Sequence, residues 1–171
     1  MSTAPNYGSL SYWDERYSAE DGKSFDWYQD YSTLKPSLQI YLKKHIPDFE
    51  ILIPGCGNSS LASELYAEGF MNITNVDISS VVIHQMTDRH TAHEDMEFTH
   101  ADARNLEFVP DNSFDLILDK GLFDCQVFTY LSIYAAAQTM IITLTNNNKN
   151  SCALLIISPV CRAWLQRCSV C

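Results

Sequence analysis

Basic side chains are scarce in this chain of 171 residues: 11 Lys and Arg stand against 21 Asp and Glu, a formal net charge of -10. That balance repels phosphate backbones, so nucleic acid is not an expected partner and a basic protein surface is. A secretory leader is missing as well, since residues 1–10 carry neither a basic end nor an apolar run of about 7 to 15 residues. A cytoplasmic protein with reduced thiols is therefore expected. Internal repeats and low-complexity linkers are absent, apart from the short run Asn146 to Asn148. With 46% hydrophobic, 19% charged and 12% aromatic residues, the chain is neither a collagen, a coiled coil nor a disordered tail. Its length fits one domain of ordinary size that can bury a core.

Acids are missing altogether from residues 126–171, where Lys149, Arg162 and Arg167 give +3, so residues 1–125 carry -13. Cysteine shows the opposite bias. Only Cys56 and Cys125 fall in the first 125 residues, whereas Cys152, Cys161, Cys168 and Cys171 crowd the last twenty. Cys168 and Cys171 form one C-x2-C pair with no second pair to complete a zinc site, and His84, His90, His93 and His100 make no ligand pattern with cysteines. No metal is expected. Residues 126–148 lack acidic and basic side chains, but Gln126, Ser132, Gln138 and several Thr and Asn interrupt them, which argues for a buried helix rather than a membrane span.

From about residue 50, short apolar runs alternate with amphipathic stretches, the pattern of a parallel sheet covered by helices. Strands are predicted at Ile51 to Ile53, Ile73 to Val76, Met96 to His100 and Phe114 to Leu118. Between the first two, Gly55 to Ser60 is a turn whose Asn58, Ser59 and Ser60 are candidate caps for a helix through Leu61, Leu65 and Tyr66, stopped by Gly69. Ser79 or Ser80 caps a second helix. Asp77, Asp102 and Asp119 each follow a strand, at the carboxyl edge where open α/β sheets bind ligands. Punctuation of a loop would account for any one of these acids; three in register beside a glycine turn favour a site.

Gly55 and Gly57 permit a sharp turn and close approach of backbone to ligand. A dinucleotide fingerprint requires a third glycine where Ser60 stands, which weakens a nicotinamide cofactor without removing it. Asp77, twenty residues after Gly57, suits the ribose of either NAD or S-adenosylmethionine. Asp102-Ala103 distinguishes them: a second acidic loop offers a carboxylate to an exocyclic adenine amine, beside a small residue that leaves room for the ring.

Ile51 to Leu61, Asn75-Val76-Asp77-Ile78-Ser79 and Phe114 to Gly121 resemble the class I S-adenosylmethionine-dependent methyltransferases. With the aromatic stretches Tyr12 to Tyr17 and Phe25-Asp26-Trp27-Tyr28, the chain is similar more narrowly to the elongation factor 1A lysine methyltransferases over residues 7–125. The resemblance implies a Rossmann-like three-layer α/β sandwich with a mostly parallel sheet, S-adenosyl-L-methionine as cofactor, and a basic protein acceptor such as elongation factor 1A. It implies that Trp13, Tyr17 and Trp27 close over the cofactor, that Gly55 lines its methionine end, that Asp77 and Ile78 meet ribose and adenine, that Asp102 and Ala103 hold the adenine edge, and that Lys120 stands at the mouth. Aromatic faces suit a sulfonium through cation–π attraction of about 0.5 to 2 kcal/mol each. Read without the resemblance, these aromatics would be an arm packed on the sheet, and Lys120 would be a strand-end lysine paired with Asp119 or Asp124.

Direct methyl displacement needs no acid–base pair, so no catalytic residue is nominated, and Cys56 reads as a small buried residue rather than a nucleophile. A single methyltransferase domain is expected over 1–171, made of three parts: an aromatic N-terminal arm and helix at 1–50, a cofactor-binding core at 51–125 and a divergent C-terminal segment at 126–171. In that segment Phe128 to Leu144 is predicted helical and Ala153 to Ile157 a fifth strand; no Pro-Gly-Gly turn precedes it, and too few residues follow for the last two strands of a seven-stranded sheet. A truncated or alternatively spliced form, non-catalytic but retaining partial cofactor binding, is the competing expectation.

Overall fold

The computed structural model describes residues 5–19, 23–43, 48–110, 113–127, 139–145 and 151–157. Helices α1 (Leu10–Ala19) and α2 (Tyr31–Leu38) precede β1 (Ile51–Pro54), α3 (Leu61–Ala67), β2 (Ile73–Asp77), α4 (Ser80–Arg89), β3 (Met96–His100), β4 (Leu116–Asp119), α5 (Leu122–Val127), β5 (Thr139–Thr145) and β6 (Ser151–Ile157). The sheet runs β3-β2-β1-β4-β6-β5. All pairs are parallel except β5 with β6. The chain steps from β1 to β2 to β3 in one direction, which puts α3 and α4 on one face if both crossovers have the usual right hand. It then reverses to β4 on the other side of β1. That reversal is a topological switch point, where the carboxyl ends of neighbouring strands leave a crevice.

The β1 run Ile-Leu-Ile-Pro is buried along its whole length, as expected for a central parallel strand covered on both faces. One core cluster packs Leu34 and Leu38 of α2, Leu61 and Leu65 of α3, and Phe49 and Phe70 against Ile51, Ile53, Ile73, Leu116 and Leu118. A second joins Tyr17 of α1 to Val82 and Met86 of α4, with Trp13 and Phe98 alongside. Leu38, Ile51, Leu65 and Leu116 are fully buried, each contributing about 1.5 to 3 kcal/mol of transfer free energy.

The helix stops are legible in their chemistry. Gly69 has φ +95°, its amide donates to Tyr66 O at 2.8 Å, and the Phe70 amide donates to Leu65 O at 3.2 Å. This is a Schellman ending, with Phe70 and Leu65 in the same apolar cluster. Ser79 caps α4 through Val82 N. Of the three candidate caps of α3, Ser60 occupies the cap position but makes no capping bond. Ser59 Oγ accepts from Leu61 N at 3.1 Å instead. Asn58 and Ser60 turn their side chains to residues 23–26.

Two element predictions need correction. The fourth strand begins at Leu116 rather than Phe114, because Leu116 is the residue opposite Ile51 and Asp115 uses its carboxylate to accept the Glu50 amide at 3.0 Å. The helix predicted over Phe128 to Leu144 is contradicted at its end. Residues 139–145, with β-branched Thr139, Ile141, Ile142, Thr143 and Thr145, form β5 against β6; residues 128–138 lie outside the described residues. The predicted fifth strand at Ala153 is β6, which starts at Ser151. The described sheet thus has six strands.

Candidate cofactor site

Gly55 and Gly57 follow β1 with φ +63° and +53°, the left-handed region that favours glycine. Both are also confined by neighbours. A Cβ on Gly57 would stand 2.8 Å from Tyr17 Oη, and one on Gly55 would stand 2.8 Å from Leu122 Cβ. The turn is fixed from the next strand: Gly57 N donates to Asp77 Oδ2 at 2.9 Å, Ser79 N donates to Asp77 Oδ1 at 2.9 Å, and Cys56 N donates to Val76 O at 3.1 Å. Burial pushes the Asp77 carboxyl up, and the amides of Ser79, Gly57 and Ile78 only partly oppose that.

Over this turn lies the aromatic arm. Trp13 stacks on Tyr17 with ring centroids 5.7 Å apart, and its indole donates to Tyr7 O at 2.7 Å. Trp27 meets Tyr7 and Phe25 edge to face. The Arg16 guanidinium sits 4.7 Å from the Phe25 ring centre and 5.1 Å from that of Trp27. Ser79 Oγ donates to Asp14 at 2.6 Å and Gln85 Nε2 donates to Tyr17 O at 3.0 Å, tying α1 to α4.

Trp13, Tyr17, Trp27, Gly55, Gly57, Asp77, Ile78, Asp102, Ala103 and Lys120 all line one cleft at the switch point. Residues not singled out from sequence join them: Tyr7, Phe25, Arg104, Leu122 and Cys125. Phe25 had a visible signal in its aromatic stretch, whereas Arg104 and Cys125 had none. Asp102 is engaged by Arg104, whose Nε donates to both carboxylate oxygens at 2.8 and 3.0 Å. Lys120 corrects an expectation. Its Nζ pairs with neither Asp119 nor Asp124 but with Asp26, at 2.6 Å.

Asp119 does not line the cleft. Its carboxylate accepts the Leu122 and Phe123 amides at the start of α5, and burial pushes its carboxyl up to about 6. For this acid the punctuating role is the observed one. Cys56 is buried and its thiol is pushed well up by burial; burial raises Cys125 to about 12. Neither is a ready nucleophile. His90 is a core residue, its Nδ1 on Met86 O and its Nε2 on Ser63 Oγ. Among the described residues no His, Cys, Asp or Glu group is arranged to hold a metal, and no helix is long and apolar enough to cross a membrane. Cys161, Cys168 and Cys171 lie outside the described residues.

The family described as methyltransferase domain matches residues 51–141, over half of the chain. The chain belongs to that family. As a class I methyltransferase domain it is built for S-adenosyl-L-methionine. Among curated proteins it is 40% identical over 123 residues to eEF1A lysine and N-terminal methyltransferase of Bos taurus, covering 71% of this chain and 17% of that protein. It is 38% identical over 122 residues to EEF1A lysine methyltransferase 4 of Mus musculus, covering 71% of this chain and 46% of that protein. The matched stretch thus spans less than half of either relative. A solved structure described by the conversion of a disulfide bond into a thioacetal group during echinomycin biosynthesis aligns with a TM-score of 0.53 at 20% identity, covering 81% of this chain and 63% of that one. That likeness supports the Rossmann-like fold.

The residues of this methyltransferase domain fit the cofactor. The cleft is lined by the carboxylates of Asp77 and Asp102, which can accept hydrogen bonds from hydroxyl and amine groups, and by the rings of Trp13, Tyr17 and Trp27, whose faces suit a cation.

Proposed function

We propose that residues 1–171 act as one domain that binds S-adenosyl-L-methionine in this cleft and transfers its methyl group to a lysine side chain of a basic protein, elongation factor 1A being the acceptor named by the relatives. The observation that carries the cofactor part is the convergence of ten separately recognised residues, from the arm, the glycine turn and three strand ends, on a single cleft. Trp13, Tyr17 and Trp27 cover the sulfonium, Gly55 and Gly57 admit the methionine end, Asp77 with Ile78 takes the ribose, and Asp102 with Ala103 takes the adenine edge. When bound, the cofactor supplies an electrophilic methyl group on sulfur. The chain supplies position, and effective molarity is the main source of acceleration in such a transfer.

A lysine acceptor attacks only as the neutral amine, its free pKa being about 10.4. Entry into an aromatic-walled cleft disfavours the ammonium by desolvation. Lys120 does not take that proton, because its own ammonium is held by Asp26. The -13 carried by residues 1–125 attracts a basic protein and repels nucleic acid, and a cytoplasmic location suits such an acceptor.

Calorimetry with S-adenosylhomocysteine and transfer of labelled methyl to purified elongation factor 1A test the two halves of this reading. Binding with transfer supports it. Binding without transfer supports the alternative, a non-catalytic form that retains cofactor binding, and a folded protein that binds nothing rejects both.

A further inference from the structure

Asp26 lies between α1 and α2, and no contact assigned above to the cofactor uses it. Its carboxylate is nevertheless where three parts of the cleft meet. Ser59 Oγ donates to Oδ1, Ser60 Oγ donates to Oδ2 at 2.9 Å, and Lys120 Nζ donates to Oδ1 at 2.6 Å. The serines come from the turn after β1, the lysine from the end of β4, and Asp26 from the aromatic arm. The ion pair is sheltered, its side chains 6% exposed for Lys120 and 18% for Asp26. Burial raises the Asp26 carboxyl, but the bonds from Lys120 and Ser59 outweigh it and hold the group below its usual range.

The neighbouring backbone repeats the same connection. Phe25 N donates to Asn58 O at 3.4 Å, and Asn58 Nδ2 donates to Lys23 O at 2.7 Å. Trp27, next in sequence, lines the cleft and passes close to Gly121. Charge-assisted bonds are shorter and about twice as strong as neutral ones, and a connecting segment outside helix and sheet depends on such side-chain bonds for its placement.

We propose that Asp26 is a positioning residue of the cofactor site: by holding Ser59, Ser60 and Lys120 together, its carboxylate docks the aromatic arm onto the glycine turn and the end of β4. The cleft is then assembled before its ligand arrives, which removes an ordering cost from binding. This inference rests on the cofactor reading for its functional consequence, but not for the docking itself.

The test uses the full chain. Asp26→Asn keeps the shape and removes the charge. The dissociation constant for S-adenosylhomocysteine and the KM for the methyl donor are expected to rise together by about tenfold, with kcat at saturation within about threefold. Without ligand, acrylamide quenching of tryptophan fluorescence is expected to rise, and the rise to vanish in Asp26→Asn combined with Trp27→Phe. Lys120→Met added to Asp26→Asn is expected to cost little beyond the worse single variant, because both remove the same contact. Unchanged affinity in folded Asp26→Asn, or a fall in kcat with KM unchanged, overturns the proposal. Should Asp26→Asn not fold, Ser60→Ala and Lys120→Met decide it: weakened binding in both supports it, and unaltered binding in both overturns it. If the unaltered protein binds no S-adenosylhomocysteine, the cofactor reading fails by itself, and the quenching comparison still decides the docking.

Discussion

The Gly57 amide donates to the Asp77 carboxylate across 2.9 Å, joining two residues twenty positions apart at the ends of adjacent parallel strands. Val76 lies opposite Pro54 in the β1–β2 register, so the glycine turn and Asp77 leave the sheet side by side. One acid thereby shapes the turn and faces the cleft.

Replacing Asp77 with Ala removes the acceptor for both the Gly57 and Ser79 amides, each bond to a charged group contributing about 1.5 to 3 kcal/mol. Because burial of the carboxylate offsets part of that sum, a loss of about 2 to 4 kcal/mol of stability is expected, with cofactor affinity reduced at least about tenfold. Urea unfolding and titration with S-adenosylhomocysteine measure the two effects, and a stable variant with unaltered affinity would contradict the assigned role.

Gly57→Ala faces two separate penalties. Its φ of +53° is costly for any Cβ-bearing residue, by about 1 to 2 kcal/mol, and the new methyl would collide with Tyr17 Oη. Tyr17→Phe removes that hydroxyl without changing φ. The double variant is therefore expected to melt above Gly57→Ala and below Tyr17→Phe; a double variant no more stable than Gly57→Ala would remove the steric part of the explanation.

Asp119 makes stability depend on pH. Its carboxyl is pushed up to about 6 by burial, above an unfolded value of about 3.9, so the native state binds the proton more tightly than the unfolded chain. This contribution is fully present below about pH 4 and is lost as pH rises through about 6, amounting to about 3 kcal/mol. His90 acts in the other direction, because burial lowers its pKa: its contribution is present above about 6.5 and lost as pH falls. Unfolding free energies from pH 4 to 7 for the unaltered protein and Asp119→Asn should diverge across that window, and parallel curves would exclude this titration.

Thiol chemistry should be silent in the described core. With Cys56 buried and pushed well up, and Cys125 raised to about 12, neither forms appreciable thiolate at pH 8. Iodoacetamide followed by peptide mass spectrometry is expected to label both only after unfolding. Rapid labelling of either in the native state would contradict its raised pKa.

Local chemistry made much of the cleft legible in the sequence. Glycines at 55 and 57, Asp77 and the Gly69 stop act through backbone geometry within a few residues or one crossover, and the alternating apolar runs mark the strands. The stretch at 139–144 misled because an uncharged segment with small residues before it suits a buried helix as well as a strand. Its β-branched residues gain their advantage only beside β6, paired from Thr139 opposite Ile157 to Thr145 opposite Ser151.

Sequence alone determined the family, the glycine turn and the acids at the strand ends, since each depends on residue type at fixed short spacing. Tertiary structure decided partnership. Lys120 chose Asp26, 94 positions away, over the acids nearest to it in sequence, and Asp119 was assigned to a helix start rather than to the cleft. Proximity along the chain does not set which charges share a desolvated space; the sheet order does, by bringing the ends of β1 and β4 beneath the same aromatic arm.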